Sequence, residues 1–190
     1  MKVIYCTGNK YKLATARQIL GPMGVEVEGK KIENLPEIQA DTIEEVAVFS
    51  SKYACKMLNE NVLKNDSGLV IPALKNFPSA YTKYVEETIG EDGILKLMQG
   101  INNREAYFVE VLAYTEVGQE PKVFKSITKG SIAEEKSGEY GWSYDKIFVP
   151  EGESKTLASF PDDERWKFWN EDGYKEFAGY IKSNTGVKTK

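Results

Sequence analysis

Histidine is absent from all 190 residues. Its absence removes the side chain that titrates near neutral pH, the commonest zinc ligand, and every Ser-His or Cys-His nucleophile scheme. Chemistry in this chain has to run on carboxylates, lysines and a metal ion. Cysteine is almost as scarce. Cys6 and Cys55 are the only two, and each sits in an apolar stretch, where a buried reduced thiol is expected rather than a bridge. That usage predicts a cytoplasmic protein. No run approaches the ~20 apolar residues of a membrane span, and the apolar start at Val3 is interrupted by Asn9 and Lys10 too soon for a signal-peptide core. Neither a membrane partner nor export is expected. Positive charge is not in excess either: 25 Lys and Arg stand against 29 Asp and Glu, a net charge of -4. With no basic stripe to track a phosphate backbone, nucleic acid is not expected as a partner.

What is present suffices for a sizeable core, with 41% hydrophobic and 12% aromatic residues. One domain over residues 1–183 is expected, with a flexible tail at 184–190 and no internal repeat. Val3-Ile4-Tyr5-Cys6 reads as a strand that stops at Thr7-Gly8-Asn9, and Leu13, Ala16, Ile19 and Leu20 recur at helical spacing up to Gly21-Pro22. Val25-Glu26-Val27 alternates as a second strand, followed by an extended segment around Pro36. Thr42 with Glu45 three positions on forms a capping box, predicting a helix whose buried face carries Val46, Phe49, Tyr53 and Met57. Val62 to Ile71 reads as a strand bent at the polar turn Asn65-Asp66-Ser67-Gly68, continuing as a β-arm to Pro78. Thr88 to Met98 is expected to be helical with Gly100 past its end. Ala106–Tyr114 and Val123–Thr128 read as neighbouring strands joined at Gly118, Lys146 to Val149 as a further strand, and Phe160 to Lys182 as mostly helical. The sum is a mixed α/β fold with a long curved sheet, not a doubly wound one.

Three constellations carry possible chemistry. The first is strand, Thr7-Gly8-Asn9, helix with Lys12 in its first turn, where backbone N–H groups and a cation suit a phosphate. A glycine turn ending an edge strand beside a surface lysine is the plainer account. The second is Asp66 at the strand break with Glu37 behind Pro36. Two carboxylates with phosphate oxygens and waters make the usual Mg²⁺ shell, although Asp66 capping a turn and a solvated Glu37 would look the same. The third is Gly138 to Asp145, where aromatic faces beside a carboxylate suit a purine ring and its N–H, or a structural aromatic cluster.

In this order the motifs resemble the Ham1/ITPase family, the inosine and xanthosine triphosphate pyrophosphatases, whose pattern begins T-G-N-x-x-K and runs on through an acidic D/E-D-S-G-L turn. Leu35-Pro36-Glu37-Ile38-Gln39, Phe77-Pro78 with Tyr81 and Lys83, Glu87-Thr88-Ile89-Gly90, Asn103-Arg104 with Ala106-Tyr107-Phe108, Gly130-Ser131-Ile132 and Tyr144-Asp145 with Ile147-Phe148 also look like family segments. The resemblance implies two lobes flanked by helices, a nucleotide cleft between them, and a homodimer. It implies Mg²⁺-dependent hydrolysis of a purine nucleoside triphosphate (ITP, dITP or XTP) to the monophosphate and pyrophosphate. On that basis Thr7, Gly8, Asn9 and Lys12 hold the triphosphate, and Glu37 and Asp66 bind Mg²⁺. Ser67 and Lys83 contact substrate, and Trp142, Ser143, Tyr144 and Asp145 frame the base. Lys12 and Asp66 are the catalytic pair, with Asp66 or a neighbouring acid orienting a water.

Three departures stand out. Asn65 replaces the first acid of the turn, and Ser159 replaces a Glu. Trp169-Asn170-Glu171 occupies the place of the Ser-His-Arg that reads the 6-oxo purine, as counted from Thr156. Losing such donors should relax or redirect base choice by roughly 10²-fold or more, with Arg165 or the Asn170 amide the available substitutes. Trp166-Lys167-Phe168-Trp169 supplies apolar surface instead, for core, stacking or a partner. The alternative function is a catalytically impaired dITP sensor that signals to an effector protein in a hetero-complex, as in bacterial anti-phage defence.

Overall fold

The computed structural model describes residues 1–185. The elements are β1 (Lys2–Cys6), α1 (Lys10–Leu20), β2 (Glu26–Lys30), α2 (Ile43–Leu58), β3 (Val62–Ile71), β4 (Phe77–Pro78), α3 (Thr82–Thr88), α4 (Gly90–Leu97), β5 (Glu105–Thr115), β6 (Lys122–Ile132), β7 (Phe148–Pro150), α5 (Asp162–Arg165) and α6 (Asp172–Thr185). The strands hydrogen-bond in the order β2-β1-β3-β5-β6-β7, with β4 on β3. This is the mixed α/β fold the sequence predicts. The chain forms two compact units, Met1–Asp66 with Glu110–Ser126 and Glu171 onward, and Ser67–Val109 with Ile127–Asn170.

In the first unit β1 pairs in parallel with β2, from Lys2↔Glu26 to Cys6↔Lys30, and with β3 at Ile4↔Val62 and Tyr5↔Leu63. Alternation along β1 and β3 divides their side chains between two faces. Val3, Tyr5 and Leu63 pack with Ala16 and Leu20 of α1 and with Tyr174, Phe177 and Ile181 of α6. Cys6 and Val62 pack on Ala54 and Cys55 of α2. Both cysteines are free and buried, as expected, and burial raises the pKa of each thiol.

The capping box of α2 is present: Thr42 accepts from the Glu45 N–H, and the Glu45 carboxylate accepts from the Thr42 N–H at 2.9 Å. The predicted buried face is wrong, however. Ile43, Ala47, Ser50, Ser51, Ala54 and Cys55 face inward, while Met57 is 58% exposed. Small residues let the helix approach the sheet closely, and the Ser51 and Thr115 hydroxyls bond at 2.8 Å. Phe49 and Tyr53 stack on each other instead.

In the second unit Leu69, Ile71, Val85, Ile94, Met98, Ala106, Ile132 and Phe148 form one core. β4 pairs antiparallel with β3 at Val70↔Pro78, and β7 with β6 from Gly130↔Pro150 to Ile132↔Phe148. Four local readings need correction. β3 runs through Asn65-Asp66-Ser67-Gly68 as one ten-residue strand, with no turn there. The helix expected over 88–98 is α4, which begins only at Gly90, where φ is 58°, and the unforeseen α3 precedes it over 82–88. Ser143–Lys146 is a 3-10 turn that delays β7 to Phe148. The helix expected from Phe160 onward is α5, a 3-10 turn, an extended Trp169 and α6. Trp169 leaves the helical conformation to set its ring edge-on to Phe108, at 5.2 Å between centroids. Asn184 and Thr185 belong to α6, not to the expected tail, and 186–190 lie outside the described residues. Among the described residues no helix is long and apolar enough to cross a membrane.

Candidate active site

Parallel strands deliver their C-terminal ends to one edge, and that is where the first constellation lies. β1 ends at Cys6 and the chain turns through Thr7-Gly8-Asn9 into α1. The Thr7 hydroxyl accepts from the Asn9 N–H at 3.0 Å. The Asn9 side chain caps the helix by accepting from the N–H groups of Tyr11 (2.9 Å) and Lys12 (3.2 Å). Two first-turn donors are thus already engaged by Asn9. Gly8 is not demanded by the fold: a Cβ there would meet only the flexible Lys31 side chain, at 3.5 Å or more. What the glycine leaves open is close approach to its backbone.

Beside β1, β3 brings Lys64, Asn65 and Asp66 to the same edge. Lys64 was not singled out from the sequence, yet it stands on β3 one residue past the Tyr5↔Leu63 pair, beside the end of β1. It is half-buried, and burial lowers its ammonium pKa, with Lys12 pushing the same way and Cys6, Asp66 and Glu37 opposing. A strand interior hides such a residue, because Lys64 reads only as the polar position after Val62-Leu63. Among the described residues no three of His, Cys, Asp and Glu stand together as a preformed metal cluster. Asp66 on β3, with Glu37, fits a cation that arrives with a phosphate and takes most of its ligands from phosphate and water.

On the other side of β3 stands a group the sequence reading missed. Buried Asn65 donates through Nδ2 to Glu110 Oε1 on β5 at 2.6 Å, and the Tyr174 hydroxyl donates to the same oxygen at 2.9 Å. Burial, then the charge of Glu110, holds the Tyr174 pKa far above its ordinary value, so the phenol stays a donor.

The second unit holds the remaining expected residues. Ser67 is exposed, and Lys83 is 75% exposed with Glu87 at 3.9 Å. In the loop Gly138 to Asp145, Trp142 is 66% exposed while Tyr144 is buried in the core and donates its hydroxyl to the Thr82 carbonyl at 3.1 Å. Arg165 binds Asp145 Oδ2 at 2.7 Å, each side chain 12% exposed, and also pairs with Asp162. Burial raises the Asp145 pKa, with the Trp142 N–H and Arg165 opposing. Gly141, at φ 66°, is required here, since a Cβ would lie 1.8 Å from the Arg165 guanidinium. Ser143 Oγ and Arg165 Nε are both buried without a hydrogen-bond partner, an arrangement folded proteins rarely leave unexplained.

Trp169, at the place of the base readers, contributes packing, and the Asn170 N–H is engaged by Thr128 Oγ1 at 2.9 Å. A cavity of about 400 Å³ walled by Thr128, Lys129, Glu151, Lys167 and Phe168 lies beside them, but contains neither Asp145 nor Arg165.

Charged side chains at the ends of parallel strands, on a mixed α/β scaffold, define the class to which this protein belongs. Solved structures share that scaffold: the Ham1 protein of Staphylococcus aureus superposes with a TM-score of 0.81 at 26% identity, covering 97% of this chain and 100% of its own. The HAM1 protein of Coxiella burnetii superposes at 0.82 with 22% identity, over 96% and 99%, and speaks to the fold alone. The Ham1 family model matches residues 3–169, and the chain belongs to that family. Its relatives include the dITP/XTP pyrophosphatases of Methanopyrus kandleri, 43% identical over 97% of this chain and 98% of that one, and of Thermococcus kodakarensis, 40% identical over 97% and 99%.

Proposed function

We propose that this protein hydrolyses non-canonical purine nucleoside triphosphates (ITP, dITP or XTP) to the monophosphate and pyrophosphate, with Mg²⁺. The observation that carries the reading is that β3, paired with β1 at Tyr5↔Leu63, brings Lys64 and Asp66 beside the Thr7-Gly8-Asn9 turn that opens α1. Relatives named for dITP and XTP pyrophosphatase activity support it. Lys12 and Lys64 place two positive charges where a triphosphate needs neutralising, and the open backbone at Gly8 admits a phosphate oxygen closely. Glu37 and Asp66 would hold the cation, which when bound offsets charge developing on the phosphates. The unpartnered Ser143 Oγ and Arg165 Nε supply hydrogen-bonding capacity for the base, with Asp145 accepting its ring N–H.

Base choice is broader than, or different from, what Ser-His-Arg would give, because Trp169 at that place packs edge-on to Phe108. A second reading, binding without turnover and signalling to a partner protein, is favoured by Asn65 in the acidic segment. Pyrophosphate release measured on dITP, ITP, XTP and the ordinary triphosphates, beside calorimetric binding of each, separates the two. Turnover supports hydrolysis, whereas Mg²⁺-dependent binding without product overturns it. Replacing Lys64 with Met should raise KM for dITP about tenfold at low salt and less at high salt, since one phosphate-facing charge is removed and ions screen the rest. Initial rates at two ionic strengths check this.

A further inference from the structure

We infer that Lys31 is a further triphosphate-binding residue, which exchanges its ion pair with Glu33 for the phosphate oxygens when nucleotide reaches the Thr7-Gly8-Asn9 turn. The inference deepens the function proposed above and rests on it for the identity of the ligand. β2 pairs with β1 as far as Cys6↔Lys30, and the Thr7 N–H donates to the Lys30 carbonyl at 2.9 Å. Lys31, the next residue, is thereby set against the turn. Its Cε lies 3.5 Å from where a Cβ on Gly8 would stand, and its Cδ and Cγ 3.7 Å. The apolar stem therefore rests over the glycine whose backbone is to receive a phosphate.

Beyond Cε the ammonium turns to Glu33 Oε1 at 2.8 Å, the two side chains 61% and 74% exposed. Such a surface pair is weak, because water screens it and two mobile side chains lose freedom to hold it. A triphosphate at the turn presents several negative charges where Glu33 presents one, and charge-assisted bonds to phosphate oxygens are the stronger. Moving the ammonium from one to the other needs only a change of rotamer at the end of the side chain. Lys12 comes from α1 and Lys64 from β3, so Lys31 brings a cation from a third element. Glu33 competes with the nucleotide for that cation and so lowers affinity.

Calorimetry with the α,β-imido analogue of dITP and Mg²⁺ tests this without turnover. Lys31→Met should weaken binding about tenfold, the loss of one charge-assisted bond, while Lys31→Arg stays within about threefold of wild type. Glu33→Gln should tighten binding about threefold, and that gain should vanish in the double variant with Lys31→Met. Lys2→Met takes the same charge from the far end of β1 and should change affinity less than about twofold, since ions screen it at that distance. All these side chains are exposed, so melting should stay near wild type. In turnover of dITP, Lys31→Met should raise KM about tenfold with kcat within about threefold of wild type. A Lys31→Met protein that binds the analogue within about twofold of wild type overturns the inference. So does a Glu33→Gln gain that persists in the double variant, because it would be plain relief of repulsion. Wild type that binds the analogue but releases no pyrophosphate from dITP overturns the proposed function alone, and the affinities still decide the role of Lys31. Wild type that does not bind the analogue overturns both.

Discussion

Replacing Asp66 with Asn lowers the rate of pyrophosphate release about 10³-fold with the fold intact, a loss typical of removing one electrostatic element from a reacting centre. The substitution is isosteric on a strand whose backbone ladder is untouched. What it removes is one of the two negative charges, with Glu37, whose field acts on Lys64. Cation binding at Glu37 and Asp66 weakens with it. The same change relieves repulsion between Asp66 and the triphosphate, so affinity for the nucleotide without Mg²⁺ should hold or improve while kcat collapses. A fall in kcat without a rise in KM marks an interaction made in the transition state. Steady-state kinetics with calorimetry, with and without Mg²⁺, provides the check. Parallel loss of binding and turnover would move Asp66 from the reaction to the scaffold.

The largest effect on stability is expected at Arg165. Its guanidinium and the Asp145 carboxylate are each only 12% exposed and bond at 2.7 Å. Arg165→Ala leaves a buried carboxylate with its main counter-charge gone, at a cost of about 3–5 kcal/mol. The pH dependence has a definite sign. Burial already raises the Asp145 pKa above its ordinary value, so its contribution to stability is greatest at low pH and is lost as pH rises through the folded-state pKa. Removing Arg165 raises that pKa further. Denaturant unfolding should therefore show a smaller penalty for Arg165→Ala at pH 5 than at pH 7. A penalty that is flat or grows toward acid would mean that Asp145 does not set it. Base discrimination among dITP, XTP and dGTP should narrow in the same variant, since Arg165 Nε is part of the donor capacity left for the base.

Local signals in the chain predict local structure well. The Thr42–Glu45 capping box spans three residues and forms as the spacing dictates. The face of α2 was misread because apolar size was taken as the sign of burial, whereas close approach to the sheet selects Ala47, Ser51 and Ala54. Asn65-Asp66-Ser67-Gly68 has turn chemistry, but pairing with neighbouring strands overrides that preference and keeps β3 extended. The residues proposed for the phosphate end, Thr7, Asn9, Lys12, Glu37 and Asp66, were legible as candidates because they fall in short stretches beside glycine or proline. Lys64 and Glu110 were not. Each sits inside a strand pattern, and the bond joining Asn65 to Glu110 spans 45 residues of sequence. The Arg165–Asp145 pair joins two residues named separately from the sequence, 20 positions apart, so only folding reveals that each is the other's counter-charge.

The central claim, cleavage between the α- and β-phosphates, is most directly tested by phosphorus NMR of dITP incubated with the protein and Mg²⁺. The triphosphate resonances should give way to those of dIMP and pyrophosphate, with none from orthophosphate. Release of orthophosphate with dIDP, or dITP that is bound yet unchanged, would contradict it.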